Sequence, residues 1–247
     1  MSIAEIKWML RYQIAALRRC NTTWRKDVSS WGRFWRSYKE YKRLTPIQPA
    51  LDWLYPCIGD DTGETPIEPI SFYQDAWVFE RIVKRRPSAH VDVGSHHKFV
   101  ALLSKVVPVT MVDIRPLSLP LESLYFRQGS ILDLPFEDGS VSSLSSLCVV
   151  EHIGLGRYGD PLDPQGTEKA IAELKRVLAP GGDLYLSVPI DDENRTYFNA
   201  HRSFREAYLF EQFEQLKVIE KRYIFANRFI HQPLTGFGIG CYHLQKV

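Results

Sequence analysis

Histidine and carboxylate side chains follow two predicted strands in the second half of the chain. Glu151 and His152 come after a strand predicted within residues 141–150, and His201 follows one predicted over residues 183–188. Such groups accept and donate protons near neutral pH, so all three are candidates for general acid–base catalysis. A carboxylate with two histidines also suits a divalent cation, and a purely structural role for Glu151 and His152 is a third interpretation. The prediction we adopt is catalysis without a bound metal.

A second set of candidates lies at the ends of earlier predicted strands. The strand over residues 89–93 runs into Gly94, where the absence of a side chain lets the backbone approach a ligand closely. Asp113 ends the next predicted strand, and an acidic side chain at that place can bind both hydroxyls of a ribose. Ligands of doubly wound sheets bind beyond the carboxyl ends of the strands. The pair therefore predicts a site for an adenosyl cofactor, with a turn or cap role for Asp113 as the alternative.

Residues 154–163 form a glycine-rich polar segment directly after the first catalytic candidates. Loops on a rigid scaffold carry binding functions, so we predict an acceptor-binding loop, with a plain surface loop as the alternative. Its candidate binding residues are Arg157, Tyr158 and Asp160. A later arginine, Arg202, is predicted to hold a phosphate or carboxylate of the acceptor together with Arg157. Three residues ahead of the first strand are predicted to close over the cofactor: Tyr73, Gln74 and Asp75.

Strands and helices alternate from residue 89 onward, which predicts an α/β fold. The expected architecture is Rossmann-like: a doubly wound, mostly parallel, seven-stranded sheet with an antiparallel C-terminal hairpin and an N-terminal helical arm. Strands are predicted over residues 89–93, 109–113, 124–127, 141–150, 183–188, 217–225 and 236–245. Helices are predicted over residues 72–86, with Ser71 as N-cap, and over 97–106, 167–178 and 203–213.

Three further runs, residues 128–140, 151–153 and 174–189, occur in the order of motifs in a known family. They resemble the third-, fourth- and fifth-strand motifs of class I S-adenosylmethionine-dependent methyltransferases. Shorter runs resemble, more narrowly, a bacterial family catalogued as domain of unknown function 268, whose members are often associated with surface-polysaccharide biosynthesis. These shorter runs are residues 90–95, 154–163 and 198–202.

The resemblance implies S-adenosylmethionine as the cofactor and methyl transfer to a hydroxyl of a sugar or surface glycan. Because Ser95-His96-His97 stand where the family usually has further glycines, the alternative is a catalytically silent domain that serves as a binding or assembly partner in glycan biosynthesis. The implied cofactor contacts are Asp92, Gly94 and Ser95 at the methionine end, Asp113 at the ribose, Ser130 and Ile131 at the adenine, and Cys148 near the sulfonium.

The beginning of the chain differs in composition from the remainder. Residues 1–44 contain eleven Lys or Arg and three Asp or Glu, a net charge of +8. Apolar residues recur at helical spacing over residues 3–19, and an aromatic and basic pattern continues from there. This predicts a helical arm that packs on the core, on a second subunit or on a glycan-synthesis partner, with contact to an anionic membrane surface as the alternative. Nucleic acid is disfavoured, because no recognition motif accompanies the charge. The predicted segments are residues 1–45, the arm; 46–88, a proline-rich lead-in and cap helix; and 89–247, the methyltransferase-like domain.

The sequence contains few features that indicate a cellular compartment. No apolar run approaches the roughly 20 residues that span a bilayer, and no signal-peptide pattern is present. The four cysteines show no metal or redox spacing, which is typical of a reducing compartment. The prediction is a cytoplasmic protein, with the inner face of the membrane as a peripheral alternative.

Overall fold

The computed structural model describes residues 28–46, 54–57 and 60–247. They fall into two compact units that divide between Pro66 and Ile67. The helical pattern noted at the start of the arm, residues 3–19, lies outside the described ranges. In the described part of the chain, no helix is both long enough and apolar enough to cross a bilayer.

The first unit contains one helix, α1, in its described part, over residues 28–44. Four aromatic rings on this helix contact one another edge to face in sequence order, with centroid distances of 5.2–5.9 Å. Trp31 and Trp35 nevertheless stay 42% and 43% exposed. The helix thus keeps much of its aromatic surface in contact with solvent.

The second unit is built on an eight-stranded sheet in the order β3-β2-β1-β4-β5-β10-β8-β9. The first five strands in this order pair in parallel, and the last three join antiparallel. The strands are β1 His90–Val93, β2 Val109–Asp113, β3 Leu124–Gln128, β4 Val141–Leu147, β5 Leu178–Ile190, β6 Arg195–Tyr197, β7 His201–Ser203, β8 Leu216–Phe225, β9 Arg228–Ile230 and β10 Gly238–Lys246, of which β6 and β7 form a separate hairpin.

Helices cover both faces of the sheet, as the buried apolar parallel strands require. They are α2 Pro69–Arg85, α3 His97–Leu103, α4 Gly166–Val177 and α5 Glu206–Gln212. One apolar cluster contains Trp77 of α2 and Phe99 of α3, and the other contains Leu174 of α4 and Leu209 of α5. The architecture is the predicted doubly wound α/β fold with antiparallel C-terminal strands.

Several boundaries differ from the sequence expectation for local reasons. The pattern predicts Ser71 as the N-cap of α2, but the cap is Glu68, whose carboxylate accepts hydrogen bonds from the Ile70 and Ser71 amides, and Pro69 opens the helix. The helix predicted from residue 203 starts at Glu206, because residues 201–203 pair with β6.

The sheet has one strand more than the seven predicted. The extra strand, β9, has three residues and pairs only with β8 among the described strands. Such a short edge strand carries too few residues to show the alternation of apolar and polar positions that identifies a strand.

Candidate functional site

Two adjoining cavities open at the carboxyl ends of the parallel strands, with volumes of about 640 Å³ and about 310 Å³. Both volumes lie in the range of small-molecule and cofactor sites. The larger cavity extends toward α2 and β10, and the smaller one extends toward the end of β3. The residues that line both are Gly94, Asp113, Arg115, Cys148, His152 and Tyr158.

The turn after β1 forms the wall between the cavities. Gly94 has a φ of +71°, which favours glycine, and a Cβ there would lie 3.0 Å from a methyl group of Val149. Its amide donates to the Val112 carbonyl at 2.9 Å. Ser95 lines the larger cavity, and its hydroxyl oxygen accepts a hydrogen bond from the Leu147 amide at 3.0 Å. The turn is therefore fixed to both neighbouring strands.

Asp92 lies behind this turn and is fully buried. The resemblance implies that it frames the methionine end of a cofactor, but its Oδ1 accepts from the Ser95 amide and its Oδ2 from the Ser145 hydroxyl. His90 bridges Ser145 to Ser143 at 2.8 Å on each side, and burial raises the pKa of Asp92 to about 6. The structure thus corrects the role of Asp92 from direct contact to support of the turn.

Asp113 ends β2 and lines both cavities, as the predicted ribose residue should. Its Oδ1 accepts from the Arg115 amide at 2.8 Å, and the Arg115 Nε lies 3.5 Å from the same oxygen. Ser130 and Ile131, predicted to contact adenine, line the smaller cavity. Sequence reasoning missed Arg115, because no motif distinguishes an arginine that follows a strand from an exposed one.

The catalytic candidates sit on a 3-10 turn, Val150–His152, directly beyond β4. Glu151 is 1% exposed, and its Oε2 has no hydrogen-bond partner in the described structure. Burial raises the pKa of Glu151 to about 8 and lowers the pKa of His152 to about 4. At neutral pH both side chains are therefore uncharged, and the 3.7 Å separation between His152 Nε2 and Glu151 Oε1 is not an ion pair.

The hydrogen bonds of His152 identify the nitrogen that carries its proton. Nδ1 lies 2.6 Å from the Ala200 carbonyl oxygen, which can only accept, so Nδ1 carries the hydrogen and donates it, and the 3.2 Å contact of Nδ1 with Arg157 Nη1 joins two donors. Arg157 donates to the same carbonyl at 3.0 Å, and its positive charge adds to the lowering of the His152 pKa. Nε2 is left as an unprotonated nitrogen, and His152 lines both cavities.

Cys148 lies between the turn and α2, and it lines both cavities. Its φ of +53° is unusual for a non-glycine residue, and its thiol donates to Gln74 Oε1 at 3.4 Å. Burial raises the pKa of this thiol, so it stays protonated. Gln74 lines the larger cavity, whereas Tyr73 donates its hydroxyl to the Asn227 carbonyl.

The loop over residues 154–163 is held by its own side chains. Gly154 has a φ of +80°, and a Cβ there would collide with the Asp163 carbonyl oxygen at 2.1 Å. Asp160 accepts hydrogen bonds from three loop amides, at Gly154, Gly156 and Tyr158. Burial raises the pKa of Asp160, but these amides outweigh it, so the pKa is lowered. Asp160 thus organises the loop, and because it also lines the smaller cavity, its predicted contact with an acceptor stays a prediction.

Arg202 also has a different role from the predicted one. It is 8% exposed and donates to the Ile153 carbonyl at 2.6 Å, the Thr167 hydroxyl at 3.1 Å and the Asp163 carbonyl at 3.1 Å. With its donors committed to this loop and to α4, it clamps the loop and does not present a guanidinium to an acceptor. Arg157 remains exposed beside the larger cavity.

Tyr158 carries two guanidinium groups against its ring. Arg115 lies 4.6 Å and Arg157 lies 5.1 Å from the ring centroid. Such cation–π contacts hold both arginines near the cavities that Tyr158 lines. The arginine pair at this site is thus Arg115 with Arg157, in place of the predicted Arg157 with Arg202.

Three neighbouring rings form what we call the aromatic rim: His201 and Phe237, which line the larger cavity, and Tyr197, which packs on His201. The His201 ring lies 4.9 Å from Tyr197 and 5.7 Å from Phe237. Tyr197 and Phe237 are exposed, whereas His201 is half-buried, and burial together with the charge of Arg157 lowers the His201 pKa. Sequence reasoning missed Phe237. The Asp192 carboxylate accepts from the amide of Gly236 at 3.0 Å, which fixes the neighbouring residue.

The side chains that commonly bind metal ions do not cluster in the described part of the chain. Within residues 28–46, 54–57 and 60–247, no three His, Cys, Asp or Glu side chains converge in an arrangement that could hold a metal ion.

Comparison with known families matches residues 138–227 to a family described as Caenorhabditis protein of unknown function, DUF268. The family number agrees with the sequence resemblance, whereas its attribution to bacteria stays a prediction. No curated protein sequence is significantly similar to the chain.

Several solved structures that resemble this one are methyltransferases. A 1,6-didemethyltoxoflavin-N1-methyltransferase from Burkholderia thailandensis, with bound S-adenosylhomocysteine, has a TM-score of 0.52 at 16% identity, over 71% of this chain and 79% of that one. The N-methyltransferase NodS from Bradyrhizobium japonicum WM9, in complex with S-adenosylhomocysteine, has a TM-score of 0.53 at 14% identity, over 77% and 91%. The chain therefore has the Rossmann-like fold of class I methyltransferases.

The same fold also supports other chemistry. The [4+2]-cyclase SpnF has a TM-score of 0.51 at 13% identity, over 70% of this chain and 81% of that one. Fold and reaction are thus separable here, and the reaction must be argued from the site.

Proposed function

We propose that this protein is an S-adenosylmethionine-dependent methyltransferase that acts on a hydroxyl group of a sugar or surface glycan. The observation that carries the proposal is the pair of adjoining cavities. Both are lined by Asp113, at the end of β2, and by His152, whose Nε2 is the unprotonated ring nitrogen. Cofactor and acceptor would meet where the two cavities share their walls.

The residues of the smaller cavity suit the adenosyl part of the cofactor. Asp113 would accept hydrogen bonds from the ribose hydroxyls, and Ile131 and Val149 would cover the adenine with apolar surface. Gly94 and Ser95 would border the methionine end, where the fixed turn brings the backbone close. The two methyltransferases of this fold that were crystallised with S-adenosylhomocysteine support this assignment.

Methyl transfer requires the protein to orient the acceptor hydroxyl toward the cofactor and to remove the proton of that hydroxyl. When bound, S-adenosylmethionine supplies an electrophilic methyl group on sulfur. Nε2 of His152 would accept the proton of the acceptor hydroxyl as its oxygen takes the methyl group from the cofactor sulfur. The Ala200 carbonyl keeps Nδ1 protonated and so directs the free nitrogen to this task.

Glu151 complements His152 in this proposal. Its pKa of about 8 leaves it protonated at neutral pH, and its Oε2 is buried without a partner in the described chain. A neutral carboxyl group can donate a hydrogen bond to an oxygen of the methyl acceptor. Such a bond is favourable because a buried polar atom without a partner is costly. We assign Glu151 to hold the acceptor beside His152.

A sugar is the acceptor that the aromatic rim favours. Aromatic faces attract the weakly positive C–H groups of a pyranose ring, while its hydroxyls stay free for polar contacts. Tyr197 and Phe237 provide exposed rings beside His201, and the polar groups of Glu151 and His152 line the same cavity.

A catalytically silent domain is the second candidate, and one observation favours it. Ser95 and His96 stand where the family has glycines, and their side chains serve their own loop: His96 Nδ1 accepts from the Lys98 amide at the start of α3. A turn after β1 whose space is taken by its own side chains would bind the cofactor weakly. The protein would then act as a binding or assembly partner in glycan biosynthesis.

Calorimetric titration of the full chain with S-adenosylmethionine and S-adenosylhomocysteine tests the proposal. We expect both to bind, and transfer of a labelled methyl group to oligosaccharides with free hydroxyls should follow. Absence of binding at millimolar cofactor would overturn the enzyme proposal and support the silent domain. Transfer to lipids or small metabolites, with none to glycans, would overturn the choice of acceptor alone.

A further inference from the structure

Helix α1 presents an exposed aromatic face that the proposed reaction does not use. Its aromatic residues recur three or four positions apart and so lie on one side of the helix. Trp31, Trp35 and Tyr41 are 42%, 43% and 55% exposed in the structure. We define this aromatic face as Trp31, Phe34, Trp35, Tyr38 and Tyr41.

The other side of the same helix is basic. Residues 28–44 contain five Lys or Arg and one acid, Glu40, which gives the helix a net charge of +4. Arg33 pairs with Asp61 at 2.9 Å, but both side chains are largely exposed, and such surface pairs leave the local potential positive. We define the basic face as Arg33, Arg36, Lys39 and Arg43.

An aromatic face opposite a basic face is the pattern of helices that lie in a membrane interface. Tryptophan and tyrosine favour this region because their rings are apolar while their N–H and O–H groups remain hydrated. Lys and Arg on the polar side reach anionic headgroups, whose attraction falls off within a Debye length. The sequence before α1 continues the combination, with Trp8 and Trp24 among further bases.

We propose that α1 binds an anionic membrane surface, with its aromatic face in the interface and its basic face toward lipid phosphates. The charge of the helix selects this occupant over a neutral apolar groove on another protein. Seventeen residues of helix extend about 25 Å, enough for several headgroups to be contacted at once. The proposal places the protein at the surface of a membrane independently of its reaction.

Vesicle co-sedimentation of the full chain tests this binding. We expect the protein to sediment with vesicles of phosphatidylcholine mixed with phosphatidylserine, and to stay in solution with pure phosphatidylcholine. The double variant Trp31→Ser/Trp35→Ser should bind about tenfold more weakly, because both rings leave the interface. Arg36→Glu/Arg43→Glu should lose at least as much, and added salt should weaken binding of the unmodified chain.

Matched controls separate the helix from general changes of surface. Tyr55→Ser removes an exposed ring outside α1, and Lys217→Glu/Arg228→Glu makes the same change of net charge on exposed strand residues. Both should bind vesicles like the unmodified protein, and circular dichroism should be unchanged in all variants.

Results of two kinds would overturn the proposal. One is a chain that stays in solution with anionic vesicles, or a double tryptophan variant that sediments as well as the unmodified chain. The other is a dimer in sedimentation velocity that Trp31→Ser/Trp35→Ser dissociates, with no vesicle binding, which would assign the aromatic face to a second copy of the chain.

Discussion

The smaller and the larger cavity differ in how their walls are made. The smaller one is formed by strand ends and the turns directly after them, such as Ser130, and by part of the loop over residues 154–163. The larger one also takes residues from distant segments, such as Glu68 and Phe237, which need supports of their own. A strand end has its place fixed by the sheet, whereas a loop residue keeps its place only through specific hydrogen bonds.

This difference extends to the chemistry of the two cavities. Glu151, made neutral by burial, lines only the larger cavity, whereas His152 lines both. The smaller cavity is lined mainly by apolar and backbone groups, with Asp113, Arg115 and Asp160 also in its walls. The comparison suggests a division of roles in the proposed enzyme: the strand ends of the sheet bind the cofactor, and the residues from distant segments bind the acceptor. Each prediction below tests one part of this comparison.

The largest effect is expected from His152→Ala. Loss of the nitrogen that accepts the hydroxyl proton should lower turnover by about 100-fold or more, with S-adenosylhomocysteine affinity unchanged. Rates with saturating acceptor, together with calorimetry, measure the two effects. His96→Ala, which alters another histidine of the larger cavity, should reduce turnover little. Unchanged turnover in His152→Ala would exclude it as the base.

Glu151→Gln should change how stability depends on pH. The folded-state pKa of Glu151, about 8, is raised above its ordinary value of 4.5, so its contribution is complete at low pH and is lost as the pH rises through 8. Between pH 5 and pH 8 the unmodified protein should lose about 3 kcal/mol of unfolding free energy relative to Glu151→Gln. The lowered pKa of His152 affects both proteins alike and cancels. Parallel denaturation profiles across this pH range would contradict the buried neutral carboxyl.

Arg202→Ala should loosen the loop over residues 154–163, which lines both cavities through Tyr158 and the smaller one through Gly159, Asp160 and Pro161. Removing the guanidinium leaves several buried carbonyl groups without a donor, which should cost about 2–3 kcal/mol in urea unfolding. Cofactor affinity should fall, and the KM for the acceptor should rise through Tyr158. Arg202→Lys should restore only part of the stability and of the affinity, because an ammonium cannot reproduce the planar fork. Unchanged cofactor affinity and KM in Arg202→Ala would contradict the clamping role of Arg202.

Asp113→Ala tests the smaller cavity and has the smallest expected effect. Loss of a charged hydrogen-bond acceptor for ribose should weaken S-adenosylhomocysteine binding by about 2 kcal/mol, roughly thirtyfold. Asp138→Ala removes an exposed carboxylate on the surface and should leave affinity as it is. If Asp113→Ala binds as tightly as the unmodified chain, Asp113 does not hold the ribose.

The residues of the smaller cavity could largely be predicted from the sequence. β2 has its predicted bounds, Val109–Asp113, because a short apolar run before an acidic residue marks both the strand and its end. Gly94 and Asp113 follow from the same logic. These positions depend on local pattern and on the general rule that ligands bind at strand ends.

The residues of the larger cavity could not be predicted in the same way. Arg202 contacts a carbonyl 49 positions away, and no local pattern tells a clamping arginine from one that faces a ligand. Phe237 lies next to His201 only because β10 pairs with β5 and carries the preceding segment to the cavity. Such placements are set by long-range packing, which sequence periodicity does not record.

The position of β10 also constrains the order in which the sheet can be assembled. In sequence β10 follows β8 and β9, yet in space it lies between β5 and β8. During synthesis, β8 and β9 therefore have no place on the growing sheet until β10 has left the ribosome. Until then the edge of β5 is open and a hairpin is unattached, two surfaces on which a nascent chain can aggregate. Chaperone demand should accordingly peak late in translation, shortly before this strand emerges.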